Sequence, residues 1–313
     1  MKFVEPAKFE NNDAHMVDRP FQKHLIIVQF ENPPRKNLCF SNVIASCVLN
    51  IPPLRQFLKE NTELPKDINS ICSELSLLLK QPKNILQSTK TLRTIVMNRC
   101  LESGQLRNFN NNMQFDCVEF LQSLLEHLWM ELPLSDNLSE TVFGGLFCES
   151  YQCECGQIEE HPIQILPTIL SVPIVGETVQ TCFDAYISSE QVVRTCQNCQ
   201  SVKSCKTTEI IAPPSTLILH LKRFSYNETN HIATKLHVPV HCPLNLNLKG
   251  ADMYHLNSVI NHLGESLTSG HYTILLNDIV NSSFVLIDDE QISYDVDVRE
   301  TDEVSYVVIY TRL

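Results

Sequence analysis

Long hydrophobic runs, internal repeats and low-complexity segments are all missing from this sequence of 313 residues. No stretch is long and apolar enough to span a bilayer. The first 12 residues carry Lys2, Glu5, Lys8 and Glu10 and have no apolar signal core. We therefore expect an intracellular protein, located in the cytoplasm and/or the nucleus.

Positive charge is also in short supply. The 24 Lys and Arg residues are outnumbered by 36 Asp and Glu, which gives a formal net charge of −12. Nucleic acid and anionic membranes are therefore poor partners, whereas a partner with a basic face or tail fits this charge. A hydrophobic content of 43% with 19% charged residues is typical of a folded globular protein with a sizeable core.

Cysteine, by contrast, is abundant, with 13 residues. Inside a cell, an odd number favours metal ligands, a nucleophile and buried thiols over a disulfide framework. Cys196 and Cys199 form a C-x-x-C pair, and Cys153 and Cys155 form a tighter C-x-C pair followed by Gly156. Two such pairs next to turn residues predict a zinc ribbon, with packed thiols and no metal as the alternative.

One cysteine has the setting of a nucleophile. Cys39 follows a Pro-Pro break and precedes an apolar run with helical spacing, which places it near a helix N-terminus. Free N–H groups and the helix dipole favour a thiolate there. Asn37, two residues upstream, is a candidate donor to an oxyanion. Taken alone, however, this stretch fits one more buried, inert cysteine.

The secondary-structure signals change near residue 142. Before it, helical spacing predicts a helix from Cys39 to about Leu49, another from Leu54 and further segments that include 68–78, 92–96 and one opening at Gln114. After it, β-like runs predict strands at 164–172, 192–193, 217–221, 235–240, 269–276, 284–287 and 306–310. The sequence thus predicts a helical lobe followed by a strand-rich region.

Turn residues predict a hairpin in the last third of the chain. Residues 281–283 separate the strands 269–276 and 284–287. This pairing would bring His271 beside Asp288. A histidine next to a carboxylate has the arrangement of a general base and the residue that orients it.

These segments, in this order, resemble the motifs of the ubiquitin-specific proteases, a family of papain-like cysteine deubiquitinases. The resemblance runs from about Asn32 to the C-terminus. It is carried by Asn37-Leu38-Cys39-Phe40-Ser41-Asn42, Gln114-Phe115-Asp116-Cys117-Val118-Glu119-Phe120-Leu121, Leu217-Ile218-Leu219-His220-Leu221-Lys222-Arg223-Phe224, Ser269-Gly270-His271-Tyr272 and Ile287-Asp288-Asp289, with the closing strand Ser305-Tyr306-Val307-Val308-Ile309-Tyr310.

The resemblance implies an α+β fold of the papain-like cysteine protease type, with thumb, palm and fingers in one catalytic domain over residues 1–313. Its expected parts are an N-terminal lead-in (1–31), a helical thumb (32–140), a region that is mainly zinc-ribbon fingers (141–235) and a region that is mainly palm sheet (236–313).

The resemblance also implies an activity, the thiol-dependent hydrolysis of the peptide or isopeptide bond after the C-terminal glycine of ubiquitin. The implied partners are ubiquitin or ubiquitinated proteins, and an activating protein partner is compatible with the family. The implied roles are Cys39 as nucleophile, His271 as base, Asp288 as its orienter, Asn37 as oxyanion donor, Asp116, Asp289 and Tyr272 as ubiquitin-binding residues, and Cys153, Cys155, Cys196 and Cys199 as ligands of a structural zinc ion.

The sequence departs from the family pattern near the nucleophile. Lys36 stands where a glycine is usual, and its side chain could either favour the thiolate by its charge or distort the loop. Gln152 stands where the first finger cysteine is expected, so Cys153 or Cys148 would complete the zinc site. Two alternatives therefore stay open: a catalytically silent ubiquitin-binding scaffold, and a protease for another ubiquitin-like modifier.

Overall fold

The computed structural model describes residues 25–60, 70–81, 85–108, 112–131, 142–227, 232–248, 253–266 and 269–312. Within these ranges, the N-terminal part of the chain forms a helical lobe. Its helices are α1 (Cys39–Asn50), α2 (Pro52–Glu60), α3 (Ile71–Lys80), α4 (Lys90–Glu102) and α5 (Cys117–Glu131). None of the described helices is both long and apolar enough to cross a membrane.

The remainder is rich in strands. In chain order they are β1 (Leu146–Cys153), β2 (Ile158–Glu160), β3 (Gln164–Ile165), β4 (Ile169–Val172), β5 (Glu190–Val193), β6 (Lys203–Ala212), β7 (Thr216–Leu221), β8 (Phe224–Asn227), β9 (Ile232–Lys235), β10 (Asn245–Asn247), β11 (Met253–Ser266), β12 (Ser269–Asp278), β13 (Ser283–Asp288), β14 (Gln291–Val296) and β15 (Ser305–Arg312). A short helix, α6 (Val179–Tyr186), lies between β4 and β5, and a 3₁₀ turn (Val298–Thr301) precedes β15.

The strands build two main sheets. The larger sheet has eight strands in the order β14-β13-β12-β11-β15-β7-β4, with β10 paired to β11. Its pairs are antiparallel except for β4 with β7. The smaller sheet has the order β2-β1-β6-β5, with β3 paired to β1, and β8 and β9 form a separate hairpin. The predicted α+β class is therefore confirmed.

Helix α1 is the centre of the lobe, and every one of its residues is buried. It contacts α5 and α2 within the lobe and β12 of the larger sheet. One apolar cluster joins the lobe to one face of the larger sheet, and a second joins α6 to the opposite face. The nucleophile candidate Cys39 therefore opens a helix that lies directly on the sheet carrying His271.

Most predicted helices are confirmed, with one local difference. The second helix, predicted from Leu54, begins two residues earlier, so that Pro52 and Pro53 lie in the first turn of α2. Proline suits that position because the first N–H groups of a helix have no intrahelical acceptor. Part of the predicted segment 68–78, including Ile68, lies outside the described residues.

Two strand predictions are wrong in detail. Residues 236–240 are not a strand: the carbonyls of Leu236 and Val238 accept hydrogen bonds from the buried guanidinium of Arg223, and Pro239 has no N–H to donate. The run 164–172 is interrupted before and after Pro167, so β3 joins the smaller sheet and β4 the larger one. The predicted bounds of thumb, fingers and palm stay predictions.

Candidate active site

Cys39 is the first residue of α1, and only 2% of its surface is exposed. The turn before it contains two residues with left-handed backbone, Arg35 (φ 65°) and Asn37 (φ 49°), a conformation that is strained for side chains other than glycine. Between them, the carbonyl of Lys36 accepts a hydrogen bond of 2.8 Å from the guanidinium of Arg93. This arginine, on α4, is 1% exposed, so the turn rests on a buried cation.

His271 and Asp288 face each other across the hairpin of β12 and β13, as predicted. Nε2 of His271 lies 2.6 Å from Oδ1 of Asp288. Hydrogen bonds to Cys39 and then to Asp288 raise the pKa of His271 from 6.5 to about 9, against the opposing effect of burial. The three predicted residues therefore come together, and these hydrogen bonds favour the imidazolium form of His271.

The next residue, Asp289, holds the nucleophile's turn to the larger sheet. Its backbone is left-handed (φ 51°). Its two carboxylate oxygens accept hydrogen bonds of 2.7 Å from the side-chain amides of Asn32 and Asn42. Oδ1 of Asn32 in turn accepts the N–H of Leu38 at 2.9 Å. The carboxylate is thus occupied by the protein, and its predicted contact with ubiquitin stays a prediction.

An amide that the sequence reasoning missed lies against the nucleophile. Nε2 of Gln114 is 3.5 Å from Sγ of Cys39. The side-chain amide of Asn37, the predicted oxyanion donor, gives one hydrogen bond of 2.7 Å to the carbonyl of Asn112. Gln114 opens the second recognised motif, but no spacing in the sequence indicates that it reaches Cys39 from 75 residues away.

Asp116 lies where the lobe meets the larger sheet. Its Oδ1 accepts the N–H of Val118 at 2.7 Å, which caps the N-terminus of α5, and its Oδ2 accepts the hydroxyl of Tyr306 at 2.7 Å. Tyr272 is fully buried, with its ring tilted against that of Tyr306. The predicted ubiquitin contacts of Asp116 and Tyr272 stay predictions.

The position of His271 depends on the residue before it, Gly270, which lies very close to His262 and Leu263 on the neighbouring strand. A Cβ on Gly270 would lie 2.4 Å from Nε2 of His262 and 2.6 Å from the carbonyl oxygen of Leu263. Only glycine fits there, because real Cβ atoms do not approach so closely. Lys235 stabilises the same corner by donating to the carbonyls of His262 and Gly264, both at 2.7 Å.

The four predicted metal ligands form a second cluster, at the end of the smaller sheet. The sulfurs of Cys153, Cys155, Cys196 and Cys199 all lie within 4.8 Å of one another. Sγ of Cys153 is 3.5 Å from that of Cys199, and Sγ of Cys155 is 3.8 Å from that of Cys196. Tetrahedral zinc at ~2.3 Å from each sulfur requires sulfurs about 3.8 Å apart, so the cluster fits a metal ion.

The backbone around these cysteines supports the same conclusion. Gly156 (φ 87°) and Gln200 (φ 62°) close the two cysteine turns in left-handed conformations. The backbone N–H of Gln157 is the main cause that lowers the pKa of Cys155 to about 6, and backbone N–H groups also lower the pKa of Cys196, whereas burial and neighbouring thiols of the cluster raise the pKa of Cys153 and of Cys199. Cys148 points elsewhere, since its thiol donates to the carbonyl of His161 at 3.2 Å. Of the two alternatives for the first ligand, Cys153 is the one in the cluster.

Sequence comparisons agree with these motifs. The profile of the ubiquitin carboxyl-terminal hydrolase family matches residues 33–310. Ubiquitin carboxyl-terminal hydrolase Usp2 of Drosophila melanogaster is 24% identical over 302 residues, which cover 82% of this chain and 32% of that protein. Probable ubiquitin carboxyl-terminal hydrolase 16 of Schizosaccharomyces pombe is 23% identical over 304 residues, covering 88% and 65%. The chain thus spans less than two thirds of either relative.

Solved structures share the fold. A chain of the SAGA DUB module Ubp8/Sgf11/Sus1/Sgf73 bound to monoubiquitin superposes with a TM-score of 0.76 at 21% identity, covering 93% of this chain and 70% of that one. The same module bound to ubiquitin aldehyde gives a TM-score of 0.75 at 20% identity, covering 95% and 72%. At such identities the likeness concerns the fold, with its helical lobe and its two sheets.

Proposed function

Because the chain belongs to the ubiquitin carboxyl-terminal hydrolase family, we propose that it is a thiol-dependent deubiquitinase. It hydrolyses the peptide or isopeptide bond after the C-terminal glycine of ubiquitin. The observation that carries this proposal is the placement of His271, whose Nε2 lies 2.6 Å from Oδ1 of Asp288 and whose pKa is raised by the neighbouring Cys39 at the start of α1.

Attack requires the thiolate form of Cys39, with the imidazolium form of His271 beside it. Cys39 attacks the carbonyl carbon of ubiquitin's last glycine, and the charge that develops on the oxygen is stabilised by Asn37 and by N–H groups at the start of α1. His271 donates its proton to the departing amine, which leaves a thioester on Cys39. The neutral imidazole then takes a proton from water and the hydroxide attacks the thioester. Collapse regenerates the Cys39 thiolate beside the imidazolium and frees ubiquitin as a carboxylic acid, which loses its proton to solvent. Asp288 keeps the ring oriented throughout.

Ubiquitin binding rests on charge and position. Asp116, at the boundary between the lobe and the larger sheet, is proposed to contact the basic tail of ubiquitin. Asp289 and Tyr272 are proposed to support this binding cleft from behind, since the carboxylate of Asp289 is bonded to Asn32 and Asn42 and Tyr272 is fully buried. The net charge of −12 favours such a partner. An activating protein partner is part of the proposal as well, since similar chains have been solved in modules with further subunits.

A structural zinc ion is proposed for the smaller sheet. Cys153, Cys155, Cys196 and Cys199 would hold it, and the ion would cross-link two turns that lie about forty residues apart. An intracellular location, where thiols stay reduced, is part of the proposal, and none of the 13 cysteines, all within the described residues, forms a disulfide.

The turn before Cys39 bears on the first of the two alternative functions, a catalytically silent ubiquitin-binding scaffold. The hydrogen bond from Arg93 to the carbonyl of Lys36 and the contact of His271 with Cys39 support a turn that permits attack, and so favour an active enzyme over a silent scaffold. A protease for another ubiquitin-like modifier would use the same three residues.

The test uses ubiquitin carrying an electrophile at its C-terminus. Wild-type protein should form a covalent adduct, Cys39→Ala should form none, and Cys205→Ala, a half-buried thiol on β6, should react like wild type. No adduct from folded wild-type protein would overturn the proposal. Repeating the assay with other ubiquitin-like modifiers would then separate the scaffold from a protease of different specificity.

A further inference from the structure

The amide of Gln114 occupies a position from which it can act on the reaction itself. Its nitrogen is 3.5 Å from Sγ of Cys39, whereas its oxygen is 4.0 Å from the same sulfur. The donor end of the amide is therefore the closer one. The oxyanion of a tetrahedral intermediate is carried by the carbon bonded to that sulfur, so a donor beside the sulfur lies within reach of the developing charge.

This placement is built into the packing of two chain segments. Three contacts join residues that are each 75 positions apart: Asn37 with Asn112, Cys39 with Gln114, and Phe40 with Phe115. The rings of Phe40 and Phe115 have centroids 6.2 Å apart, and Phe40 also stacks edge-on against Phe120 of α5 at 5.2 Å. The two segments thus run side by side in one register.

A second anchor holds the far side of Gln114. Two residues later, Asp116 binds both the N-terminus of α5 and the hydroxyl of Tyr306, so the backbone on either side of Gln114 is fixed. A preorganised donor is what oxyanion stabilisation requires, because a donor that must first reorient loses much of its benefit.

From this geometry we infer that Gln114 is a catalytic residue that donates its side-chain N–H to the oxyanion of the tetrahedral intermediates. The inference rests on the proposed deubiquitinase function and adds a donor to Asn37, one of whose amide hydrogens is directed at the carbonyl of Asn112. Gln114 forms no covalent bond and transfers no proton. It stabilises charge after Cys39 has attacked and again when water attacks the thioester.

The test separates charge stabilisation from ubiquitin binding. Ubiquitin aldehyde forms a tetrahedral adduct with the nucleophile, whereas unmodified ubiquitin does not. For Gln114→Ala we expect kcat to fall by about 10²–10³-fold, the magnitude typical of losing one oxyanion donor, and the affinity for ubiquitin aldehyde to fall by a similar factor. The affinity for unmodified ubiquitin should not change. Gln122→Ala, which removes an exposed glutamine of α5, should behave like wild type in all three assays.

A second measurement excludes a merely structural role. Alkylation of Cys39 by iodoacetamide forms no oxyanion, so its rate should be the same in Gln114→Ala and in wild type. A slower alkylation would mean that Gln114 positions the sulfur instead, and would overturn the inference. Gln114→Glu, which has nearly the same shape, covers the case in which the alanine variant does not fold: it should show the same loss with an unchanged thermal midpoint.

The two proposals fail in different ways. If wild-type protein does not bind ubiquitin aldehyde, the deubiquitinase function is wrong and the role of Gln114 falls with it. If wild type binds the aldehyde and Gln114→Ala binds it equally well, only the inference about Gln114 is overturned.

Discussion

The hydroxyl of Tyr306 donates a hydrogen bond of 2.7 Å to the carboxylate of Asp116, from β15 of the larger sheet to the start of α5. Tyr306 is buried, and both burial and the neighbouring carboxylate raise its pKa, so the hydroxyl stays a donor at every physiological pH. The bond ties the proposed ubiquitin-binding carboxylate to the sheet that carries His271.

Replacing Tyr306 with phenylalanine removes the hydrogen bond to Asp116 and keeps the aromatic ring. We expect stability to fall by about 1–3 kcal/mol, as for a hydrogen bond to a charged group, and KM for a ubiquitin substrate to rise while kcat changes less. Tyr310→Phe is the matched control, since its hydroxyl donates to the carbonyl of Pro243 elsewhere on the same strand. Chemical denaturation and steady-state kinetics measure both effects. An unchanged KM would argue against a role of Asp116 in binding.

The raised pKa of His271 predicts the pH dependence of the reaction. Because hydrogen bonds to Cys39 and Asp288 move this pKa from 6.5 to about 9, the imidazolium persists at neutral pH, and kcat/KM should fall as pH rises through about 9. In Asp288→Asn one cause of the rise is removed, so the alkaline fall should begin at lower pH. Cleavage of a fluorogenic ubiquitin substrate across the alkaline range measures this. An identical alkaline limb in the variant would contradict the assignment.

The same shift affects stability, with a defined sign. A pKa that is higher in the folded state stabilises the fold fully below the unfolded value of 6.5, and this stabilisation is lost as pH rises through about 9. The difference in thermal midpoint between wild type and His271→Gln should therefore shrink with rising pH. A difference that grows with pH would show that the folded protein disfavours the imidazolium.

Gly270→Ala should damage catalysis more than stability. The new Cβ would collide with the ring of His262 and the carbonyl of Leu263, and the strand that begins here carries His271. We expect the free energy of unfolding to fall by about 1–3 kcal/mol. We expect kcat to fall by about 10²-fold, because misplacing a catalytic group by ~1 Å can lower the rate by that factor. Gly104→Ala is the control, since it has a left-handed backbone (φ 78°) but open space around it. It should lower stability slightly and leave kcat unchanged.

The metal site makes a prediction that needs no activity assay. Cys196→Ser should lose bound zinc and lower the thermal midpoint, because the remaining thiolates hold the ion poorly. Cys205→Ser changes a thiol on β6 of the same sheet, outside the cluster, and should keep both the metal and the midpoint. Metal analysis and differential scanning calorimetry provide the readouts. Equal metal content in the two variants would contradict the ligand assignment.

The buried guanidinium of Arg93 should control the reactivity of the nucleophile. Arg93→Met deletes the donor to the carbonyl of Lys36, so the strained turn should relax, stability should fall by about 1–3 kcal/mol and alkylation of Cys39 should slow. Arg99→Met, on the same helix, removes contacts with His127 and Glu131 instead. This control should lose stability with an unchanged alkylation rate. Equal rates in both variants would mean that the turn holds without Arg93.

The residues that sequence reasoning located belong to local patterns. The apolar spacing after Cys39 predicts its position at a helix N-terminus, and the turn between their strands predicts the pairing of His271 with Asp288, whereas the role of Cys39 as nucleophile comes from the family resemblance. Each pattern is complete within about twenty residues, so both can be predicted from the local sequence alone. The cysteine pairs are equally local, although the turns that they cross-link are not.

The missed features depend on contacts between distant segments. Gln114 meets Cys39 only because α5 packs along α1, and Asp289 reaches Asn32 from 257 residues away. Strand β11, the longest one described, was missed because polar residues such as Asn261 and His262 interrupt its apolar pattern. They are nevertheless buried, since the neighbouring strands and the lobe enclose them.

Asp288 and Asp289 are neighbours in the chain that serve opposite halves of the molecule: the first orients the base, and the second grips the turn that carries the nucleophile. Opening the seam between lobe and sheet would break the bonds of Asp289 to Asn32 and Asn42 and separate Cys39 from His271, whereas the pair of His271 and Asp288 lies within the sheet and would stay together. Turnover would then be lost although the base and the carboxylate that orients it remain paired. A molecule acting at this seam could therefore silence the enzyme without entering the cleft.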